Sequence, residues 1–136
     1  MKLILDTDGE NTVDAGASLL RSIVERDQLT TRLVLSGEID MSSVPALADA
    51  LARVTVSAPS HLILDMSRVN FLNAAGAVAI LDAVRRRPVG STAVVADTAA
   101  LCRPLQLLGA GMSLEVHSTV SSARAALLGQ GSSAVG

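Results

Sequence analysis

Aromatic side chains are nearly missing from this chain: Phe71 stands alone, with no Trp and no Tyr in 136 residues. That removes the stacked-ring platforms on which single-stranded nucleic acids are held. A cationic excess is missing too. Eleven Lys and Arg against thirteen Asp and Glu leave a formal charge of -2, so no overall positive field gathers the chain onto DNA, RNA or anionic lipid, and nucleic acid is not expected as a partner. Cys102 is the single cysteine, which excludes an internal disulfide and any Cys-x-x-Cys metal or redox pair and suits a reducing compartment. The 49% apolar content is aliphatic, and its runs are broken by Asp, Arg, Gly or Pro well short of the ~18 residues that a spanning helix requires. Direct membrane insertion is therefore not expected. Residues 1–14 carry one Lys and four acids without an apolar h-region, unlike a secretory signal, and the expected location is cytoplasmic.

What is present is enough for one core. A chain of this length buries about two thirds of its unfolded surface and needs no staple. Residues 1–18, with Asp6, Asp8, Glu10 and Asp14 beside Gly9 and Gly16, read as an N-terminal appendage in which only Leu3-Ile4-Leu5 has strand character. Residues 19–129 read as the domain, and 130–136, small and polar, as a fraying tail. Leu19–Glu25 and Thr31–Ser36 are β-like runs joined by a polar connection of hairpin length. A helix is expected from Ser43, whose hydroxyl suits an N-cap, with Pro45 in the first turn and Val44, Leu47, Ala48, Leu51 and Val54 at helical spacing. His61–Met66 is a continuous apolar run, as in a strand covered on both faces. A loop, Ser67–Asn73, should lead to a second helix, Ala75–Arg86, with Ala77, Ile80, Leu81 and Val84 inward and Pro88 as its stop. Ser91–Ala96 is another strand. Asp97-Thr98 caps a third helix that ends at Gly109, with a late start near Leu101 or a kink expected from Pro104. Leu114–Val116 and the helix Thr119–Leu128, with Val120, Ala123 and Leu127 inward and Gly129 past its end, close the chain. The order ββαβαβαβα implies an α/β fold with a small mixed sheet of about five strands and four helices.

Catalytic constellations are scarce, and no enzyme is expected. His61 and His117 lie at strand ends, neither with a carboxylate or thiol at metal-ligand spacing, so both read as structural and no metal is expected. The sequence has neither a G-x-x-x-x-G-K-[ST] phosphate loop nor a G-x-G-x-x-G turn, and no cofactor is expected. Ser121-Ser122 and Ser132-Ser133 lack an accompanying base. Glu38 and Asp40, two apart in an extended segment, share a side, but strand-end carboxylates are more often solvated or capping than catalytic.

Two segments stand out: Leu35-Ser36-Gly37-Glu38-Ile39-Asp40 and Leu64-Asp65-Met66-Ser67-Arg68-Val69-Asn70-Phe71-Leu72-Asn73-Ala74-Ala75-Gly76. At this separation they resemble the two signatures of the STAS domain, the sulfate transporter and anti-sigma factor antagonist module of bacterial transcription regulation, over about residues 19–128. The resemblance implies a cytoplasmic protein-interaction regulator. Antagonists of this type displace a sigma factor from a kinase-like anti-sigma factor, and phosphorylation of a hydroxyl just before the Gly stops that binding. The family pattern there is Asp-Ser-Ser/Thr-Gly, whereas this chain reads Asn73-Ala74-Ala75-Gly76. Ala75 stands at the phosphoacceptor position and has no oxygen to modify, so the resemblance implies an antagonist not controlled by phosphate at this point.

The expected partner-binding residues are Glu38, Asp40 and Ser43 at the first helix entrance and Asn73, Ala74, Ala75, Gly76, Val78, Ala79 and Asp82 at the second. Ala75, Val78, Ala79 and Asp82 would form a smooth ledge that costs little side-chain entropy to cover. Gly37, Asp65, Ser67 and Gly76 also have structural readings as packing or loop-capping groups, and Phe71 reads as core. A second reading is a STAS subunit docked to a transporter ATPase and permease or to a sensory assembly. A third is a redox or small-ligand sensor, with Cys102 as its redox residue.

Overall fold

Runs of Leu, Ile and Val alternate along this chain with Ala-rich amphipathic stretches, and each run becomes a strand. A computed structural model describes residues 3–5, 20–112 and 114–133, with side chains described for 20–112 and 114–129. Six strands lie side by side in chain order: β1 (Leu3–Leu5), β2 (Leu20–Arg26), β3 (Thr31–Ile39), β4 (Leu62–Leu72), β5 (Thr92–Val95) and β6 (Glu115–His117). The β1–β2 and β2–β3 pairs are antiparallel, and β3 through β6 are parallel. The helices are α1 (Val44–Val56), α2 (Ala74–Arg85), α3 (Ala99–Leu108) and α4 (Val120–Ser133). From β2 onward the order is the expected ββαβαβαβα. Leu3–Leu5 adds an edge strand opposite Val24–Arg26; residues 6–18 of the expected appendage lie outside the described residues.

The core sits between the sheet and α1, α2 and α3. Leu33, Leu35, Ile39, Leu47, Leu62, Leu64, Met66, Ile80, Leu101 and Leu105 are all buried there. Each such aliphatic side chain contributes roughly 1.5–3 kcal/mol on burial, so the core does not need aromatics. On the opposite face α4 places Ala123 and Leu127, with Val120 beside them, against Ile63, Ala93 and Val95. Strands β4 and β5 are thus covered on both faces, which is why their sequences run continuously apolar instead of alternating.

Several expectations are corrected. The segment expected as a loop after Met66 is strand: β4 continues to Leu72 alongside β3, and two bulges carry it. Between the pairs Val34–Asp65 and Ser36–Arg68, and again between Gly37–Val69 and Glu38–Phe71, β4 has one residue more than β3. An extra residue reverses which face the next side chain takes. The first bulge turns Val69 into the core; the second turns Leu72 in and leaves Phe71 out, 50% exposed. Phe71 is therefore not core. On α1 the buried stripe uses Ala50 where Ala48 was expected. On α2 Ala83 is buried, while Val84 is only partly so. Helix α3 begins at Ala99, capped by Thr98, with Pro104 inside it and no late start. Helix α4 runs through Gly129 to Ser133, beyond its expected end. Residues 134–136 lie outside the described residues.

Candidate partner-binding site

The bulged end of β4 joins the two signature segments. The Asn73 N–H donates to the Ile39 carbonyl at 2.9 Å, and a Cβ added at Gly76 would lie 2.3 Å from Ile39 Cγ2 and 3.0 Å from Leu72 Cδ1. The entrances to α1 and α2 consequently lie next to each other at the carboxyl ends of β3 and β4, the customary site of function in parallel α/β sheets.

At the first entrance Asp40 closes a tight turn. Its Oδ1 accepts from the Ser42 hydroxyl at 2.8 Å, the Ser42 N–H at 3.0 Å and the Ser43 N–H at 3.2 Å. These bonds, the Ser42 hydroxyl first among them, hold the Asp40 carboxyl below its ordinary value, because each favours the ionised form. Ser43 precedes α1 without capping it. Its Oγ donates to the Glu38 carbonyl at 2.7 Å and accepts from the Asp40 N–H at 2.9 Å, and the residue is 0% exposed. Ser43 is thereby corrected from contact residue to turn support: its hydroxyl is spent holding the chain between Glu38 and Asp40. The turn instead presents Met41, 75% exposed.

At the second entrance Asn73 is the N-cap, its Oδ1 accepting from the Gly76 N–H at 2.8 Å, which satisfies a helix-end donor that otherwise lacks an acceptor. Gly76 is buried and is corrected to a packing residue, since no side chain fits against Ile39. Ala74 and Ala75 are exposed and Val78 is 45% exposed. Ala79 is only half-exposed, packing against the core beside the cleft between α1 and α2 that Leu51, Thr55 and Arg86 also line. Asp82 is paired with Arg85 at 2.8 Å. The two entrances thus carry Glu38, Asp40, Asn73, Ala74, Ala75 and Val78 with Ser43 and Gly76 buried among them, and Met41 and Phe71, outside the expected set, are exposed at the same end of the sheet. The signal was partial: Phe71 and Leu72 are adjacent in one strand and so take opposite faces of the sheet, but which of them enters the main core was not written locally.

The structural reading of Asp65 holds. Its Oδ1 accepts from the Ser67 N–H and hydroxyl at 3.0 and 2.7 Å, and its Oδ2 pairs with Arg32 at 3.0 Å, while Arg32 also pairs with Glu25. Away from the site, His117 has a carboxylate partner that spacing did not reveal. Its Nε2 lies 3.1 Å from Glu115 Oε1 and its Nδ1 2.8 Å from the Ser122 hydroxyl, tying β6 to α4. Cys102 is half-buried, its thiol donating to the Ala96 carbonyl at 3.4 Å. Among the described residues no group of three or more His, Cys, Asp and Glu is placed to hold a metal, and no helix is long and apolar enough to cross a membrane.

Residues 21–123, which span both signatures and the sheet they end, match the STAS domain. The chain belongs to the STAS domain family. Within that family it is 33% identical over 94 residues to the anti-sigma-F factor antagonist RsfB of Mycobacterium tuberculosis, covering 67% of this chain and 75% of RsfB. A crystal structure of an anti-sigma factor antagonist from Mycobacterium paratuberculosis superposes with a TM-score of 0.75 at 29% identity, over 85% of this chain and 99% of that one. The fold is also that of the anti-sigma factor antagonist SpoIIAA in its unphosphorylated form, with a TM-score of 0.62 at 19% identity over 79% and 96% of the two chains. This STAS domain is thus a homologue of anti-sigma factor antagonists, which are regulators and not enzymes.

Proposed function

We propose that this STAS domain is an anti-sigma factor antagonist that binds a kinase-like anti-sigma factor through the paired helix entrances, frees a sigma factor, and is not controlled by phosphate at position 75. The observation that carries the reading is the surface around Ala75. Ala74, Ala75 and Val78 at the start of α2 are exposed and uncharged, Met41 is exposed in the turn before α1 and Phe71 near the end of β4, and Glu38 and Asp40 flank the end of β3. Exposed apolar side chains near a few carboxylates suit a protein-binding surface. Short side chains and a capped helix end also leave little motion to freeze on binding. A phosphoserine would add about -1.5 to -2 charges and three acceptor oxygens at this point; a methyl group keeps the patch neutral.

The test is affinity capture of the native partner by the parent chain and by Ala75→Glu. The parent is expected to retain an anti-sigma factor, and Ala75→Glu to lose it while keeping its far-ultraviolet circular dichroism. Retention by Ala75→Glu removes the surface. Capture of a transporter ATPase and permease in place of a sigma regulator replaces the function with that of a transporter subunit.

A further inference from the structure

The end of the sheet opposite the partner patch carries a cleft of about 270 Å³ between the loop after α2 and the loop after α3. Its apolar lining comes from Val84, Pro88, Val89 and Met112, its charged lining from Arg85 and Arg87. No carboxylate among the described residues lines it. The Arg85 guanidinium is matched by Asp82, but that of Arg87 has no acidic partner among the described residues. It is held by neutral oxygens alone: Nε donates to Thr92 Oγ1 at 2.6 Å, and Nη2 to the carbonyls of Pro59 at 2.8 Å and Ser91 at 3.2 Å. Nη1, with two further donors, makes no bond to a described residue. A half-buried cation without a counter-ion is costly, and burial already pulls the Arg87 pKa below its ordinary value. Elsewhere Arg32 is matched by Glu25 and Asp65, and Arg124 by Asp27.

We propose that this cleft binds a small amphipathic monoanion, an alkanoate whose carboxylate meets Arg87 Nη1 and whose chain lies against Val84, Pro88, Val89 and Met112. Arginine suits this role because its planar fork matches a carboxylate and is fixed in orientation by the bonds its other nitrogens make. The cleft is slightly below the usual ligand-pocket range of about 300–1,000 Å³, which limits the chain to a few carbons. Gly90 and Gly111, with φ of +82° and +93°, keep the two loops in left-handed turns at its edge. The inference stands apart from the partner reading, since the two sites lie at opposite ends of α2.

The experiment is titration of the isotopically labelled full chain with hexanoate, using hexan-1-ol as the uncharged match and acetate as the short anion. Hexanoate is expected to give saturable amide shifts at Gly90, Gly111 and Met112, with acetate weaker by about a hundredfold, because it lacks the four methylenes that cover the apolar lining, and hexan-1-ol weaker by about tenfold, the factor one charge-assisted hydrogen bond carries. Val89, 88% exposed, is replaced in Val89→Glu, which leaves the fold intact and is expected to weaken hexanoate by a similar factor. Arg87→Gln is expected to weaken hexanoate about tenfold, to the level of hexan-1-ol, and parent-like binding by a folded Arg87→Gln overturns the proposal; if it fails to fold, Val89→Glu decides. Equal binding of hexanoate and hexan-1-ol, no saturable shift at millimolar hexanoate, or an unaffected Val89→Glu each overturns the proposal.

Discussion

Ala75 and Phe71 divide the work of the proposed interface. In that reading Ala75 supplies neutrality, and restoring a hydroxyl there restores a switch. Ala75→Ser incubated with the partner and ATP is expected to take up phosphate and lose affinity, while the parent takes up none at this position; mass spectrometry showing an unmodified serine sinks the kinase-type reading. Phe71 supplies area. Were it core, Phe71→Ala would cost about 3–5 kcal/mol; half-exposed, it is expected to cost under about 1 kcal/mol in urea unfolding while weakening partner binding at least tenfold, as an aromatic anchor does. Gly76 does neither. With Ile39 Cγ2 in the place its Cβ would take, Gly76→Ala is expected to destabilise by roughly 1–3 kcal/mol, read as a lower urea midpoint at unchanged slope.

Strand β4 is the element that positions the site, and Asp65 supports its first bulge. The carboxylate is nearly fully buried, holds Ser67 within the first bulge and balances Arg32. Asp65→Ala removes one of the two carboxylates on Arg32; since Glu25 still pairs with it and the side chain is a quarter exposed, the expected loss is about 2 kcal/mol instead of the 3–5 of a sealed pair. Helix α4 is tied to the β2–β3 turn by Asp27, whose carboxylate pairs with Arg124 at 2.5 Å and accepts from the N–H groups of Leu29 and Thr30. The Arg124 bond first, then those N–H groups, hold the Asp27 carboxyl well below its ordinary 3.8. A carboxyl lowered by folding stabilises above its unfolded pKa and ceases to as pH falls toward the folded one. The stability gap between the parent and Asp27→Asn is therefore expected to be level from neutral pH down to about 5 and to shrink below 3.8. With Arg124 38% exposed, solvent screening keeps the gap within about 1 kcal/mol; a gap that widens in acid contradicts the pairing.

The whole molecule is a sheet with three helices on one face and one on the other, an apolar patch at the carboxyl ends of β3 and β4, and an arginine-lined cleft at the other end. Most of that plan was legible in the chain. The apolar runs at Thr31–Ser36, His61–Met66 and Ser91–Ala96 and the stripes on the helices are local patterns, and a local pattern is enough to order strands and helices and to say which face of α2 turns inward. The signature pair was legible too. Orientation at the site was not. Whether Phe71 or Leu72 enters the core depends on how many β4 residues pass each β3 residue, and that count arises from hydrogen bonds between segments some thirty residues apart. The same holds for Ser43, whose hydroxyl turned from the helix to the Glu38 carbonyl, and for Arg87, which folding left among neutral oxygens. Periodicity is written along one stretch of chain, but register, burial of a polar group and the balance of a charge are properties of stretches brought together, and they exist only once the sheet has formed.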